Sequence, residues 1–370
     1  MFLEVHILQS FAPSNLNRDD TGNPKDTEFG GARRARVSSQ CIKRSIRMHP
    51  AFAEATAVER AVRTRWMTRL LVPLLVRAGK PDDQATKIAY AFATQYSDMK
   101  DNHNNVALYL SASEINDAVQ ALIEQWDTIV GGLKDNKSPA LEALAKDLFK
   151  KVKNRTSAPD IALFGRMLAG KPEFNINAAC QVAHAISTHR VTMEMDYYTA
   201  VDDLIDDDKS GAAMVGVIPF NSACFYRYAR LDWDLLVRNL GGDLELAAKT
   251  VQGFLRATVL AVPTGKQTSF AAQNPPDFVL GVVRKDGQSW SLANAFEVPV
   301  RPAREGGLMS ASIAALDAYW ARLVGMYGSD SIQPVMLTLA DQAILPNLSK
   351  HHVNHLDAWV QKLTGALPKE

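Results

Sequence analysis

The chain has 370 residues, 47% of them hydrophobic and 22% charged, which is enough apolar mass for a sizeable core and too much for intrinsic disorder. Its formal net charge is only +1, so overall charge says nothing about nucleic acid and only local clustering can. The three cysteines, Cys41, Cys180 and Cys224, are scattered and form no CxxC pair, which excludes a disulfide framework or zinc knuckle and fits a reducing cytoplasm.

In chain order, residues 2–10 alternate with Leu3, Val5 and Ile7 on one side and predict a strand. The opening MFLEVHILQSFAPSN has neither the basic start nor the long apolar run of a signal peptide. A loop rich in turn formers and charge follows, PSNLNRDDTGNPKDTEFGG. Ser38 or Ser39 then caps a helix, with Ile42 and Ile46 inward and Lys43 and Arg47 on another face.

From 58 to 153 the pattern is helical throughout. Val58, Val62, Trp66, Leu70 and Leu74 recur with helical period, and Ser111 and Glu114 offer a capping box. The latter helix stops at Gly131-Gly132, and Ser138-Pro139 starts another. The most apolar run, Leu70 to Val76, contains Pro73 and falls far short of the ~20 residues of a membrane span. Beyond it, DIALFGRM (160–167) and AACQVAHAISTHRV (178–191) read as strands, as do SACFYRYARL (222–231) and DFVLGVV (277–283). Helices are expected at 233–240 and 243–261, after Ser310 or Ser312, and near 354–364. Without the helical insertion, this order is compatible with an α+β, ferredoxin-like core, β-α-β-β-α-β.

Residues 33–47 carry Arg33, Arg34, Arg36, Lys43, Arg44 and Arg47 and no acid. A helix start beside arginine forks makes a phosphate-binding corner, with Ser39 and Gln40 as further hydrogen-bonding groups. The competing reading is a solvated basic face paired with Asp19, Asp20, Asp26 and Glu28. Further on, VTMEMDYYTAVDDLIDDD (191–208) brings Met193, Met195, Tyr197 and Tyr198 before Asp202, Asp203, Asp206, Asp207 and Asp208. Such side chains wedge between bases or stack on them. The acids read as a solvated turn or, as the alternative, a divalent-metal site.

Phosphate-loop patterns fail: in VPTGKQTS, Leu260 and Gln267 occupy the places a Walker loop gives to Gly and Ser/Thr. His351, His352 and His355 lack a partnering carboxylate motif, and His184 reads as a core or half-buried strand histidine. No catalytic constellation assembles, which favours binding over chemistry, with no cofactor and no metal expected.

The segments LNRDD (16–20), KDTEFGGARRARVSSQCIKRSIR (25–47), DIALFGRM (160–167), AHAISTH (183–189), YYTAVDDL (197–204), FYRYA (225–229), VPTGKQTSFAAQNP (262–275) and SLANAFE (291–297) resemble, in order, the CasC family. CasC is the repeated backbone subunit of the type I-E CRISPR surveillance complex, Cascade. The resemblance implies a modified RRM-like, ferredoxin-like palm (1–57, 156–192 and 222–370), a helical fingers domain (58–155) and a long thumb loop (193–221). It implies a non-catalytic protein that binds crRNA and oligomerises head to tail along it. The implied partners are crRNA, copies of itself, other Cascade subunits and, through the crRNA duplex, the target DNA strand, with no membrane.

Carried over by motif, Arg18, Lys25, Arg34, Ser38, Gln40, Lys43, Arg44, Arg47, Arg166, Met167 and Lys266 would contact RNA. Tyr197, Tyr198, Thr199 and Val201 would form the thumb wedge. Ala32 stands where a basic residue is expected, and Tyr197 where Trp is. The alternative function is a metal-dependent ribonuclease using Asp202, Asp203 and Asp206. A protein that holds any guide has to grip phosphate and ribose rather than read bases.

Overall fold

The structure is a computed structural model that describes residues 1–168, 170–200, 214–304 and 307–368. It contains two compact units. The first comprises Met1–Phe52, Gln181–Leu231 and Val251–Lys369, and the second Ala53–Cys180 and Asp232–Thr250. No helix among the described residues is long and apolar enough to cross a membrane.

The first unit is built on a nine-stranded sheet. Its strands are β1 (Phe2–Ser14), β2 (Asp26–Phe29), β3 (Ala32–Val37), β4 (Cys180–Val182), β5 (Ala185–Ser187), β6 (Glu194–Ala200), β7 (Met214–Asp232), β8 (Phe278–Arg284) and β9 (Ile332–Thr338). Their order is β9-β8-β1-β7-β5-β3-β2, with β4 and β6 also paired to β7. Helix α1 (Ser39–Met48) follows β3, α2 (Leu244–Leu260) follows β7, α3 (Gly307–Tyr327) follows β8, and α4 (Leu356–Thr364) ends the chain's regular structure. Setting aside the β2–β3 hairpin and β9, the path β1-α1-β5-β7-α2-β8 lies in the spatial order β8-β1-β7-β5. That is the ferredoxin-like arrangement the element order predicts.

The alternation in β1 predicts one buried face, but both are covered. Val5 and Ile7 meet Ile42 and Ile46 of α1 and Thr258 of α2. Leu8, on the other face, packs with Tyr226, Phe278 and Leu280 beneath Ile313, Leu316 and Trp320 of α3. Glu4 and His6 share that second face and are fully buried. Glu4 accepts from Arg284 Nε at 2.7 Å, and the His6 Nδ1 lies 2.9 Å from the Tyr226 hydroxyl. Polar residues at alternate positions therefore signal a second, hydrogen-bonded interior and not solvent. Gly281 on β8 lets α4 approach, because a Cβ there would run into Leu363 and Trp359.

Several expected elements differ. The helical run starts at Met67, not Val58: Val62–Thr64 instead pairs antiparallel with Leu108–Leu110. The β-branched Val62 and Thr64 suit that ribbon. DIALFGRM is a short helix, Pro159–Phe164, started by a proline at its first position and ended by Gly165 at φ 77°. The 178–191 strand is broken into β4 and β5. The helix near Ser312 begins earlier, at Gly307, and its Ser312 hydroxyl lies 2.7 Å from the Leu308 carbonyl. The capping box at Ser111 and Glu114 is present as expected.

The described part of 193–221 is a hairpin, with Glu194 opposite Phe220 through to Ala200 opposite Met214. In the second unit, Leu71, Leu75, Phe92, Leu122, Ile129 and Leu144 form one core, with Tyr96, Phe149 and Phe174 in edge-on ring contacts.

The β2–β3 hairpin explains the GGARRAR run. Gly30 and Gly31 turn it at φ 59° and 67°. A Cβ at Gly30 would strike the Glu297 carbonyl, so the tip lies against that segment. Arg34, fully buried, donates to the carbonyls of Phe29 (3.2 Å), Ser187 (3.1 Å), Phe296 (2.8 Å) and Glu297 (3.1 Å). Gly30→Ala and Arg34→Met each lower stability by at least about 2 kcal/mol. Urea denaturation with an unchanged midpoint in either variant refutes this account of the hairpin.

Candidate nucleic-acid interface

Helix α1 is the centre of the site. Ser38 is its N-cap, its hydroxyl accepting from Cys41 N at 3.4 Å, and the first turn holds no acid. Ile42 and Ile46 anchor it to the sheet. That leaves Gln40 and Arg44 exposed and Lys43 and Arg47 half-buried along its outer side. Arg44 makes no ion pair among the described residues.

Two distant segments join α1. Asn17 accepts the Ser38 amide on Oδ1 at 2.8 Å and the Lys25 amide on its carbonyl at 2.9 Å, fixing the Arg18–Lys25 loop to the helix start. On the other side, the loop of Thr264, Gly265 and Lys266 comes so near that a Cβ on Gly265 would collide with the Leu16 carbonyl. Lys266 itself takes a left-handed conformation at φ 51°. The result is an open cleft lined by Arg18, Asp19, Cys41, Arg44, Ser45 and Thr264.

Asp20 and Asp19 also line the cleft and equal its two arginines in number, and Asp19 is tied into its own loop. Hydrogen bonds from the Thr21 hydroxyl and from the Asn23 and Thr21 amides hold its carboxyl below the ordinary range, so it stays ionised. Those same donors turn it into its own loop. Burial raises the Cys41 thiol, while the charges of Arg44 and Lys25 act on it in the opposite direction. Both cations therefore lie within electrostatic reach of one point on α1.

The arginines of the basic stretch divide. Arg33 pairs with Asp26, as the solvated reading expects. Arg36 donates to the Asp26 carbonyl at 3.0 Å and meets His184 Nδ1 at 3.0 Å. His184 is exposed, not a core histidine. Two expected RNA contacts are corrected. Arg34 is sealed inside the first unit, with its donors on carbonyls. Arg166, in the second unit, is 5% exposed and its guanidinium is bonded to Glu114 (2.7 Å), Phe174 O (2.9 Å) and Tyr109 O (3.1 Å). Both side chains are buried rather than presented at the surface.

Met167, beside Arg166, is 82% exposed. On the β6–β7 hairpin, Tyr197, Tyr198 and Thr199 are exposed, but successive residues point to opposite sides. Tyr197 (74% exposed) shares a face with Met195, Val217 and Pro219. Tyr198 lies across Gly216, where a Cβ would fall inside its ring. Val201 and the acids Asp202, Asp203 and Asp206 lie outside the described residues. No cluster able to hold a metal ion occurs among the described residues. Asn17 and Gly265 lie within the LNRDD and VPTGKQTS segments, but neither reads as a site residue from sequence, since their roles rest on contacts distant in the chain.

Fold and cleft together define an α+β, ferredoxin-like protein with an open cleft beside α1 lined by two arginines, Arg18 and Arg44, and two aspartates, Asp19 and Asp20. Over residues 3–362 the chain matches the CT1975-like protein family, and it belongs to that family. It is similar to a chain of a structure titled "CRISPR RNA-guided surveillance complex, pre-nicking", with 30% identity, TM-score 0.86 and coverage of 99% of this chain and 100% of that one. A chain of a second structure, titled "CRISPR RNA-guided surveillance complex", shares 26% identity at TM-score 0.76, with the same coverage. None of the curated proteins compared matches.

The Arg166 placement makes a separable prediction. Glu114→Ala removes both the carboxylate partner of Arg166 and the acceptor for the Ser111 amide in the capping box, leaving a buried charge, and costs about 3–5 kcal/mol. Urea denaturation monitored by far-UV circular dichroism reads this loss, and an unchanged midpoint contradicts it.

Proposed function

We propose that this chain is an RNA-gripping subunit of a CRISPR RNA-guided surveillance complex. It holds crRNA by its backbone and lines up head to tail with copies of itself and beside other Cascade subunits. The observation that carries the reading is the convergence of Arg18, Arg44 and the Thr264–Lys266 loop on an acid-free helix start, from three separate parts of the chain. The relatives named above supply the assembly. Phosphate is the one feature every guide shares, and arginine forks with helix amides suit it.

The sheet face that an RRM uses for stacking bases is closed here by α3, so no base-reading platform competes with the cleft. The role is structural and not catalytic. Target DNA is selected by pairing with the guide, as in other RNA-guided systems. The hairpin arm contributes Tyr197 as a wedge, while Tyr198 stiffens the arm across Gly216. Lys25, Lys43, Arg47 and Lys266 extend the grip, and Met167 is a further contact. The cysteine content and the assembly fit the cytoplasm.

Arg18→Ala combined with Arg44→Ala weakens single-stranded RNA binding and makes log K against log salt shallower by about 1.4, for two lost phosphate contacts. Fluorescence anisotropy over a salt series measures it, and an unchanged slope removes the cleft from the interface. Tyr197→Ala leaves RNA affinity unaltered and changes the footprint of target pairing. Chemical footprinting of the assembled complex that shows the wild-type pattern counts against the wedge.

A further inference from the structure

One group of cations remains outside the cleft. In the β3–β5 register, Arg36 lies opposite Ile186. His184 is two residues from Ile186, so it is Arg36's diagonal neighbour on the same face. The Arg36 amide donates to the Lys25 carbonyl at 2.9 Å, which sets Lys25 beside Arg36 on the other flank. Ile186 is also opposite Tyr226, so this row occupies the sheet face that α3 closes further along. Toward β2 the cover ends: His184 is exposed, and Arg36 and Lys25 are half-exposed.

No carboxylate among the described residues pairs with Lys25, Arg36 or His184. The nearby Asp26 is engaged by Arg33. From β7, the residue across from His184 is Tyr228, whose hydroxyl burial and Glu4 keep protonated. The first turn of α1 adds no acid.

The contact between Arg36 and His184 decides the chemistry. Guanidinium only donates, so at 3.0 Å the His184 Nδ1 accepts and the ring is neutral, with its proton on Nε2. Burial, then Arg36, then Lys25 hold the imidazole below its ordinary pKa, so the free protein keeps it uncharged at neutral pH. Protonating Nδ1 sets N–H against N–H and forces Arg36 to turn aside. A phosphate oxygen between them gives both groups an acceptor.

We propose that Lys25, Arg36 and His184 form a second phosphate site for the bound nucleic-acid strand, at which His184 takes up a proton from solvent as the phosphate arrives. The site rests on the RNA-gripping reading and deepens it: the strand passes from the α1 cleft onto the uncovered edge of the sheet, and Lys25 links the two, its amide bonded to the Asn17 carbonyl at the cleft and its carbonyl to the Arg36 amide. The sign follows from linkage. A group whose pKa is depressed in the free protein and raised in the complex makes binding tighten as pH falls through the bound-state value, by at most tenfold per pH unit for one proton.

The test uses the full chain and a fluorescein-labelled single-stranded RNA at fixed ionic strength, from about pH 8 to about pH 5.5. Wild-type affinity rises over this range, and His184→Gln loses about three- to tenfold of that rise. His184 is exposed, so the variant folds, which circular dichroism confirms. The ring-proton resonance of His184 reports its titration directly and moves to higher pH when RNA is added. Superimposable pH profiles for wild type and His184→Gln, or a His184 titration unmoved by RNA, overturn the site while leaving the α1 cleft intact. If wild type binds no RNA even at low salt, the RNA reading itself fails and this site with it.

Discussion

Tyr226 places its hydroxyl between the Leu292 amide, which donates to it at 2.8 Å, and the His6 ring, and so fastens the segment ahead of α3 to the middle of the sheet. Phe296 packs on the same ring. With that segment in place, α3 lies over Leu8, Phe278 and Leu280, and the central part of one face of a ferredoxin-like sheet becomes core. The fold has then spent its aromatic sheet face on packing. A polyanion has to be met at the periphery, by helix α1, by the loops at the ends of β1 and α2, and by the uncovered β3–β5 edge. The location of every candidate contact follows from that closure.

Arginine serves two ends in this chain, and burial separates them. Arg34 and Arg166 are planar forks turned inward: Arg34 donates to carbonyls, and Arg166 donates to carbonyls and Glu114 through Nε and Nη1 while its Nη2 is buried without a partner among the described residues. Burial lowers the pKa of Arg34, but at neutral pH it stays charged, so it needs those acceptors. Arg18 and Arg44 keep their donors toward solvent. A basic motif read as a string merges these roles, since nothing in GGARRAR distinguishes the middle arginine from its neighbours. The pleat does: Arg34 faces Phe296 and Glu297, while Arg33 points the other way, to Asp26.

Much of the fold was legible for the same physical reason that parts of the site were not. The capped amphipathic starts at Ser38 and Ser111 and the strands at Phe2, Phe278 and Ser222 are local patterns, and they appear where the periods put them. Non-local pairing overrode local pattern at Val62, which found Leu110, and at DIALFGRM, where a proline at the first helical position outweighed a strand-like run. The cleft depends on Asn17 reaching Ser38 and Gly265 reaching Leu16, contacts that no periodicity encodes. His184 looked like an interior histidine because its neighbours alternate, yet it falls in the break between β4 and β5, where the sheet no longer covers it.

The hairpin arm shows how far period-two reasoning carries beyond the core. Its two faces differ in kind. One presents Met195, Tyr197, Val217 and Pro219 without a charge, and the other presents Glu194 and Asp196 around Tyr198. An isolated two-stranded ribbon is marginal in water. Its neutral face has most to gain from being covered, and its acidic face is repelled by phosphate. An arm built this way has one side suited to stacking on flat apolar partners and another, bearing Glu194 and Asp196, that a polyanion avoids. Under the proposed function, the first unit and the arm would divide one strand between them, phosphates to the cations of α1 and the sheet edge, and base planes to Tyr197.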